Sequence, residues 1–406
     1  MTAYESYLNS QWASSLDSLE GVPDMFEPRI LPAQRGAFTQ RAHDALNWVG
    51  AVLPGVGLAL LLAYVGYLLS EFAGRQLRYE KSPISPIMLA VLLGLVLRNT
   101  IGVPRTYEPG LRLCLKTILR AGIVLLGLGL SVQAVAKIGL VGLPIIVVCI
   151  TTALLAVTFI NRALGLPKRL GTLIAVGTSI CGVSAIVATA PVIDADDDET
   201  AYAVACITIF GLLALFTYPL AAHYLFSGNT QVGLFLGTAI HDTSQVAGAG
   251  LTYAQQFHAK EAMNTAVVVK LVRNLCMSVL IPLMALLYHR SASSTARAKP
   301  AWHQAVPLFV LGFVAMACLR SIGDIHTARA FGWLDRATWE NFCKSVSILA
   351  PWLLATAMAA VGLGTGLAKL RNLGLKPFTV GFAAALLVGI VSTVMIMLLT
   401  AMHLID

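Results

Sequence analysis

Residues 177–186 read Gly177-Thr178-Ser179-Ile180-Cys181-Gly182-Val183-Ser184-Ala185-Ile186, and residues 237–246 read Gly237-Thr238-Ala239-Ile240-His241-Asp242-Thr243-Ser244-Gln245-Val246. Each stretch lies inside an apolar segment, 170–193 or 231–252, and each breaks that segment with Gly and small polar residues. Both copies are followed by an acidic residue, Glu199 or Glu261, and then by a helix holding Tyr218-Pro219-Leu220 or Ile281-Pro282-Leu283. A membrane helix interrupted at depth is tolerated only where the break is buried in protein or lines a cavity. The same break made twice is the mark of inverted-repeat architectures.

The surrounding sequence supplies the membrane. Of 406 residues, 57% are hydrophobic and 12% charged, about half the charged fraction of a soluble domain. The apolar residues fall into about eleven segments, most near the roughly 20 residues that a helix needs to cross a bilayer. These are 48–70, 83–98, 115–132, 139–160, 170–193, 201–226, 231–252, 262–288, 303–320, 343–365 and 376–403. They lack the alternation of barrel strands, so the expected fold is an all-α polytopic membrane protein. Residues 1–47 are polar, carry Pro23, Pro28 and Pro32, and show no cleavable signal peptide. They read as a cytosolic arm ahead of a membrane domain, 48–406.

The net charge of +8 comes from Lys and Arg scattered over short loops, such as Arg162, Lys168 and Arg169. A positive-inside bias with a cytoplasmic N-terminus in an inner membrane explains it better than nucleic acid. Seven cysteines, mostly inside apolar segments, read as buried small hydrophobes and not as a disulfide framework. No nucleophile elbow, phosphate loop or zinc spacing is present, so neither an enzyme nor a cofactor or metal is expected. The run Asp194-Ala195-Asp196-Asp197-Asp198-Glu199 lacks the spacing of a calcium loop and reads as a solvated cap on the next helix.

A second echo joins Gly127, Gly129 and Gly139 to Gly362, Gly364 and Gly374. If segments 170–193 and 231–252 are re-entrant hairpins, every echo becomes inverted and the hairpins enter from opposite faces. If they are broken crossing helices, the two breaks still meet near the midplane but are not inverted.

The interrupted stretches carry the candidate ligands: Thr178, Ser179, Cys181, Gly182 and Ser184 in the first, His241, Asp242, Thr243, Ser244 and Gln245 in the second. Half-helix N-termini aimed at one point present partial positive charge suited to an anion. Lys270 and Arg273, three residues apart in segment 262–288, share a helix face. Ionised groups at that depth default to function, so both join the expected anion site. His241-Asp242 is the one ionisable pair in the duplicated motif. It is read three ways: as a proton relay, as a cation ligand, or as the balance to Lys270 and Arg273.

Four ordered motifs carry a resemblance: Gly177-Thr178-Ser179-Ile180-Cys181-Gly182; His241 with Gln245-Val246 and Gly248; Lys270-Leu271-Val272-Arg273; and Ala357-Met358-Ala359-Ala360-Val361-Gly362-Leu363 with Lys376-Pro377. From about residue 48 to the C-terminus the chain resembles the YeiH-like sulfate exporter family; residues 1–47 lie outside the match. Members of that family often carry Glu where this chain has Asp242. The resemblance implies a secondary transporter related to bile-acid symporters and cation/proton antiporters, whose interrupted helices cross the membrane. The expected partners are then a small anion such as sulfate, a coupling ion that is a proton or sodium, and the lipid bilayer. A homodimer is compatible with such a chain. Competing expectations are a cation/proton antiporter using Asp242, and a membrane receptor or regulatory subunit.

Overall fold

A computed structural model describes residues 37–76, 85–289, 308–325, 329–366 and 375–405. The chain divides into two compact units at Gly50 and Ala51. The expected arm falls largely on residues 1–36, outside the described residues. The part of it that is described, from Ala37, is already helical, in α1 (Ala37–Gln76).

The second unit is helical almost throughout. Ser85 accepts a hydrogen bond from the Ile87 amide and Pro86 opens α2 (Pro86–Thr100), the residue types that start a helix. After α3 (Glu108–Leu113) and a wide turn, α4 (Leu119–Leu126) leads to a tight turn ending at Gly129. Next come α5 (Val132–Ala163), α6 (Lys168–Ser179), α7 (Val183–Thr189) and α8 (Asp197–Leu225). They are followed by α9 (Asn229–Ala239), α10 (Thr243–Phe257), α11 (Lys260–Leu275) and α12 (Met277–His289). The last helices are α13 (Leu308–Gly323), α14 (Arg336–Gly364) and α15 (Leu375–Ala401).

Among the described residues six helical stretches are long and apolar enough to cross a membrane: His43–Ala73, Val132–Ala163, Asp198–Leu225, Lys260–Tyr288, Arg336–Gly364 and Lys376–Ala401. Pro86–Thr100, Val183–Val192 and Leu308–Gly323 are shorter apolar helices. The apolar runs therefore do not map one to one onto long helices. Segments 170–193 and 231–252 each divide in two, at Ile180 to Gly182 and at Ile240 to Asp242. The loop expected at 133–138 is helix, because Ser131 accepts from the Ala134 amide and starts α5 early. α14 begins at Arg336 and not near 343, because Asp335 caps it through the Thr338 amide. Ahead of it stands the one strand pair among the described residues, the antiparallel two-residue strands Arg329–Ala330 and Leu334–Asp335. The acidic run does cap α8: Asp196 accepts from the Glu199 amide at 2.7 Å, and Glu199 accepts from the Asp196 amide at 3.2 Å.

Packing of the broken helices positions the site. In α9, Gly233 lies against Ala262 and Thr265, and Gly237 lies against Ala266 and Val269, so α9 runs beside α11 in the same direction. α10 runs the other way: Asn274 donates to Thr243 Oγ1 at 3.1 Å, and Gly250 lies against Met263. The outer ends of both arms meet the start of α11, where Thr230 donates to Glu261 at 3.1 Å and Phe257 leads into Lys260. The α6–α7 pair sits at the other end of the α11–α12 rod. Tyr288 bonds Thr172 Oγ1 at 2.5 Å and the Lys168 carbonyl at 3.3 Å, whereas Cys181 Sγ lies 3.7 Å from Met277 Sδ. α7 folds back, because Gly177 is packed by Ile186.

A further close approach is between α2 and α14. A Cβ at Gly94 would stand 2.6 Å from the Ala359 carbonyl oxygen, and one at Gly362 would stand 2.2 Å from that of Val91. Small residues let two membrane helices touch backbone to backbone where lipid supplies no hydrophobic drive.

Candidate functional site

The two breaks converge on α11. Lys270 and Arg273 are wholly buried, and neither makes an ion pair among the described residues. Both donate to main-chain carbonyls. Lys270 Nζ reaches Ile180 O at 2.8 Å, Ile240 O at 3.1 Å, and His241 O. Arg273 donates from Nε to Ser179 O at 2.7 Å, from Nη1 to Thr238 O at 2.7 Å and Ile240 O at 3.1 Å, and from Nη2 to Thr178 O.

These acceptors are the last carbonyls of α6 and α9 and the residues just beyond. A helix end leaves such carbonyls unsatisfied and carries about half a negative charge. An unpaired buried cation is costly, and here two cations and two helix ends compensate each other. All three Lys270 N–H groups and four of the five Arg273 N–H groups are thus directed at carbonyls.

The opposite ends of the breaks start α7 and α10. Gly182 has φ +71° and ψ −125°, a region that suits only glycine. A Cβ there would also meet Asp242 Oδ2 at 3.1 Å, so the two breaks touch at this point. Asp242 caps α10, accepting from Ser244 N at 2.8 Å and Ser244 Oγ at 2.5 Å, while Gln245 Oε1 accepts the Asp242 amide at 3.2 Å.

A cavity of about 330 Å³ lies in front of this junction. Of the sequence-predicted residues it is lined by Ser184, Asp242, Thr243, Ser244 and Gln245. Gln245 is also tied to the Thr208 carbonyl at 3.3 Å. The remaining candidates do not line it. Ser179 Oγ bonds back to Ala175 O at 2.5 Å, Cys181 packs on Met277, and Thr178 is buried with its hydroxyl unpartnered. The buried His241 ring lies beside the Thr178 backbone, and neither ring nitrogen makes a hydrogen bond of standard geometry.

Sequence reasoning missed Arg120, which lines the cavity with its guanidinium 5.7 Å from the Phe309 ring centre. Arg120 makes no ion pair among the described residues. The signal was present: Arg120 is an ionisable residue inside the apolar segment 115–132, the same criterion that singled out Lys270. Three cations stand against one carboxylate. The carbonyl ends of α6 and α9 and the amide ends of α7 and α10, about half a charge each, offset one another, which leaves about two positive charges around the junction.

Fold and site together define a polytopic all-α membrane protein with two interrupted helices locked by buried cations. The chain belongs to the family described as Conserved hypothetical protein 698, whose model matches residues 54–381, and this is the YeiH-like family its motifs resemble. It is 32% identical over 345 residues to a UPF0324 membrane protein of Bartonella henselae, covering 85% of this chain and 92% of that one. A UPF0324 membrane protein of Streptococcus agalactiae is 31% identical over 343 residues, with 84% and 96% covered. One of Bacillus anthracis is 32% identical over 344 residues, with 84% and 93% covered. No solved structure matches the chain.

Proposed function

We propose that this protein is a secondary transporter of the inner membrane that exports or exchanges a small anion, sulfate or a related oxyanion or organic anion, by alternating access. One observation carries the reading: Arg120, Ser184, Thr208, Thr243 and Ser244 line a single cavity at the junction of two broken helices. A guanidinium is planar and offers paired donors to two oxygens of an oxyanion. Of the hydroxyls, Ser184 and Thr243 can add a donor without adding charge, Thr243 Oγ1 being the acceptor from Asn274. Thr208 Oγ1 instead donates to the Val204 carbonyl, and Ser244 Oγ to Asp242.

In this reading segments 170–193 and 231–252 are re-entrant hairpins that enter from opposite faces, and the inverted repeats meet near the midplane. Support comes from the outer ends of the arms: α9 and α10 both meet the Lys260 end of the α11–α12 rod, and α6 meets its Tyr288 end. Lys270 and Arg273 then set the sign of the site and hold the two hairpin tips, without touching the substrate.

A second reading has its own observation. Asp242 is the carboxylate in the cavity lining, and Lys270 is within electrostatic reach of it. A cation/proton antiporter would use that carboxylate as its ion site.

Proteoliposomes holding the purified chain decide between the two. Uptake of labelled sulfate, trans-stimulated by internal sulfate and lost in Arg120→Gln, is expected. Sodium- or lithium-dependent proton release, abolished in Asp242→Asn and with no anion uptake in the wild type, would replace the anion reading with the antiporter.

A further inference from the structure

A second cavity, of about 380 Å³, opens between the end of α4, the start of α11, the end of α13 and the first half of α14. Its polar lining is basic: Lys260, Arg320 and Lys344, with the Asn264 amide beside them. Of the neighbouring carboxylates, Asp324 and Glu340 are held in ion pairs, whereas Glu261, next to Lys260 in the chain, is hydrogen-bonded and keeps its charge. Asp324 pairs with Arg320 at 2.6 Å and with Arg336 at 3.2 Å, Glu340 holds Arg336 at 2.8 Å, and Glu261 accepts from Thr230. Lys260 and Lys344 make no ion pair among the described residues. The remaining wall is apolar, including Leu125, Met263 and Val346. With Arg320 paired to Asp324, the unpaired positive charge of the lining comes from Lys260 and Lys344, and low-dielectric walls focus the field of such charge on counter-ions.

The same two helical regions line both cavities. Leu119 and Ile123 of α4 and Val361 and Gly364 of α14 face the cavity at Asp242. Further along, Leu125 and Leu126 of α4 and Val346 and Ala350 of α14 face the basic one. Ala350 and Val361 are about 16 Å apart along the helix. Between them Gly122 packs on Leu354, and Ile123, Leu354 and Met358 are fully buried in one apolar cluster.

We propose that the basic cavity is a second anion site, the vestibule on the far side of the Ile123–Leu354–Met358 plug. It takes a small oxyanion or carboxylate between Lys260 and Lys344 before or after that ion occupies the central cavity. The pathway rests on the anion reading of the central cavity; the site itself does not.

The native Cys343, next to Lys344 and in the cavity wall, supplies the probe. The full-length wild type in phosphatidylcholine bilayers is treated with an anionic or a cationic methanethiosulfonate reagent. Modification at Cys343 is read by peptide mass spectrometry, with rates normalised to free cysteine. The anionic reagent should react about ten-fold faster, the low end of electrostatic focusing, and sulfate should slow it more than chloride at equal ionic strength. Lys260→Gln with Lys344→Gln should remove both effects. Equal rates for the two reagents, or sulfate protection that survives the double substitution, would overturn the proposal. It is also overturned if protection requires phosphatidylglycerol and free sulfate does nothing, since the cavity then seats a lipid headgroup. Sulfate protection in a protein that carries no sulfate would support the site and sink the transport reading of the central cavity instead.

Discussion

Arg273 donates from Nη1 to the Thr238 carbonyl at 2.7 Å, and its other nitrogens reach Ser179 and Thr178. One guanidinium thus ties the ends of two half-helices that are far apart in sequence. Lys270 repeats the tie between Ile180 and Ile240.

Removing that tie should be felt as stability before affinity. Arg273→Ala leaves buried carbonyls unsatisfied at about 1–3 kcal/mol for each group, so a large drop in melting temperature in detergent is expected. Arg273→Lys keeps the charge but loses the fork, and should lie between the two. An Arg273→Ala protein that melts like the wild type would show that the carbonyls find other partners.

Arg120 should behave in the opposite way. It is exposed to the cavity and unpaired, so Arg120→Gln should change the melting temperature little while weakening sulfate binding about ten-fold, the size of one charge-assisted hydrogen bond. Isothermal calorimetry on both proteins reads the effect. Equal affinities would remove Arg120 from the site.

At Gly182 any side chain meets both a positive φ and Asp242 Oδ2. Strain of this kind costs about 1–3 kcal/mol. Gly182→Leu should insert in the membrane yet fail to transport, as measured by surface labelling alongside uptake. Wild-type uptake would return this glycine to plain helix packing.

Asp242 lines the cavity beside the positive site. If its carboxylate couples transport to protons, uptake should respond to an imposed pH gradient, and Asp242→Asn should abolish that response. An unchanged response would leave Asp242 as the cap of α10 alone.

Topology has a direct test. Single cysteines at Gly165 and Ala195 should label from one membrane face, and cysteines at Gly228 and His258 from the other. Labelling of 165 and 195 from opposite faces would make α6 and α7 a broken crossing helix.

Much of the architecture was legible because it is local. Apolar run length marked a helical membrane protein, though not its number of crossings, and the acidic run before α8 announced its cap, since Asp196 and Glu199 need only each other. The breaks at Ile180 to Gly182 and Ile240 to Asp242 fell inside the duplicated motifs, where Gly and small polar residues disrupt the apolar helix. Helix edges were less legible. Ser131 and Asp335 start α5 and α14 earlier than hydropathy does, because a cap is set by one side chain and hydropathy by an average over many.

The sequence by itself determined that the chain is a helical membrane protein, that two of its apolar segments are interrupted, and that cations stand inside apolar runs. Only the tertiary structure decided what each cation touches. Spacing puts Lys270 and Arg273 on one face of α11, but it does not say what that face meets. Folding brings the carbonyl ends of α6 and α9 there, and those ends accept all three N–H groups of Lys270 and four of the five of Arg273. Arg120, an ionisable residue inside an otherwise apolar segment, is the cation that lines the cavity among the described residues. The reason is physical: hydropathy and capping are properties of neighbours in the chain, whereas the partner of a buried charge is chosen by packing between segments.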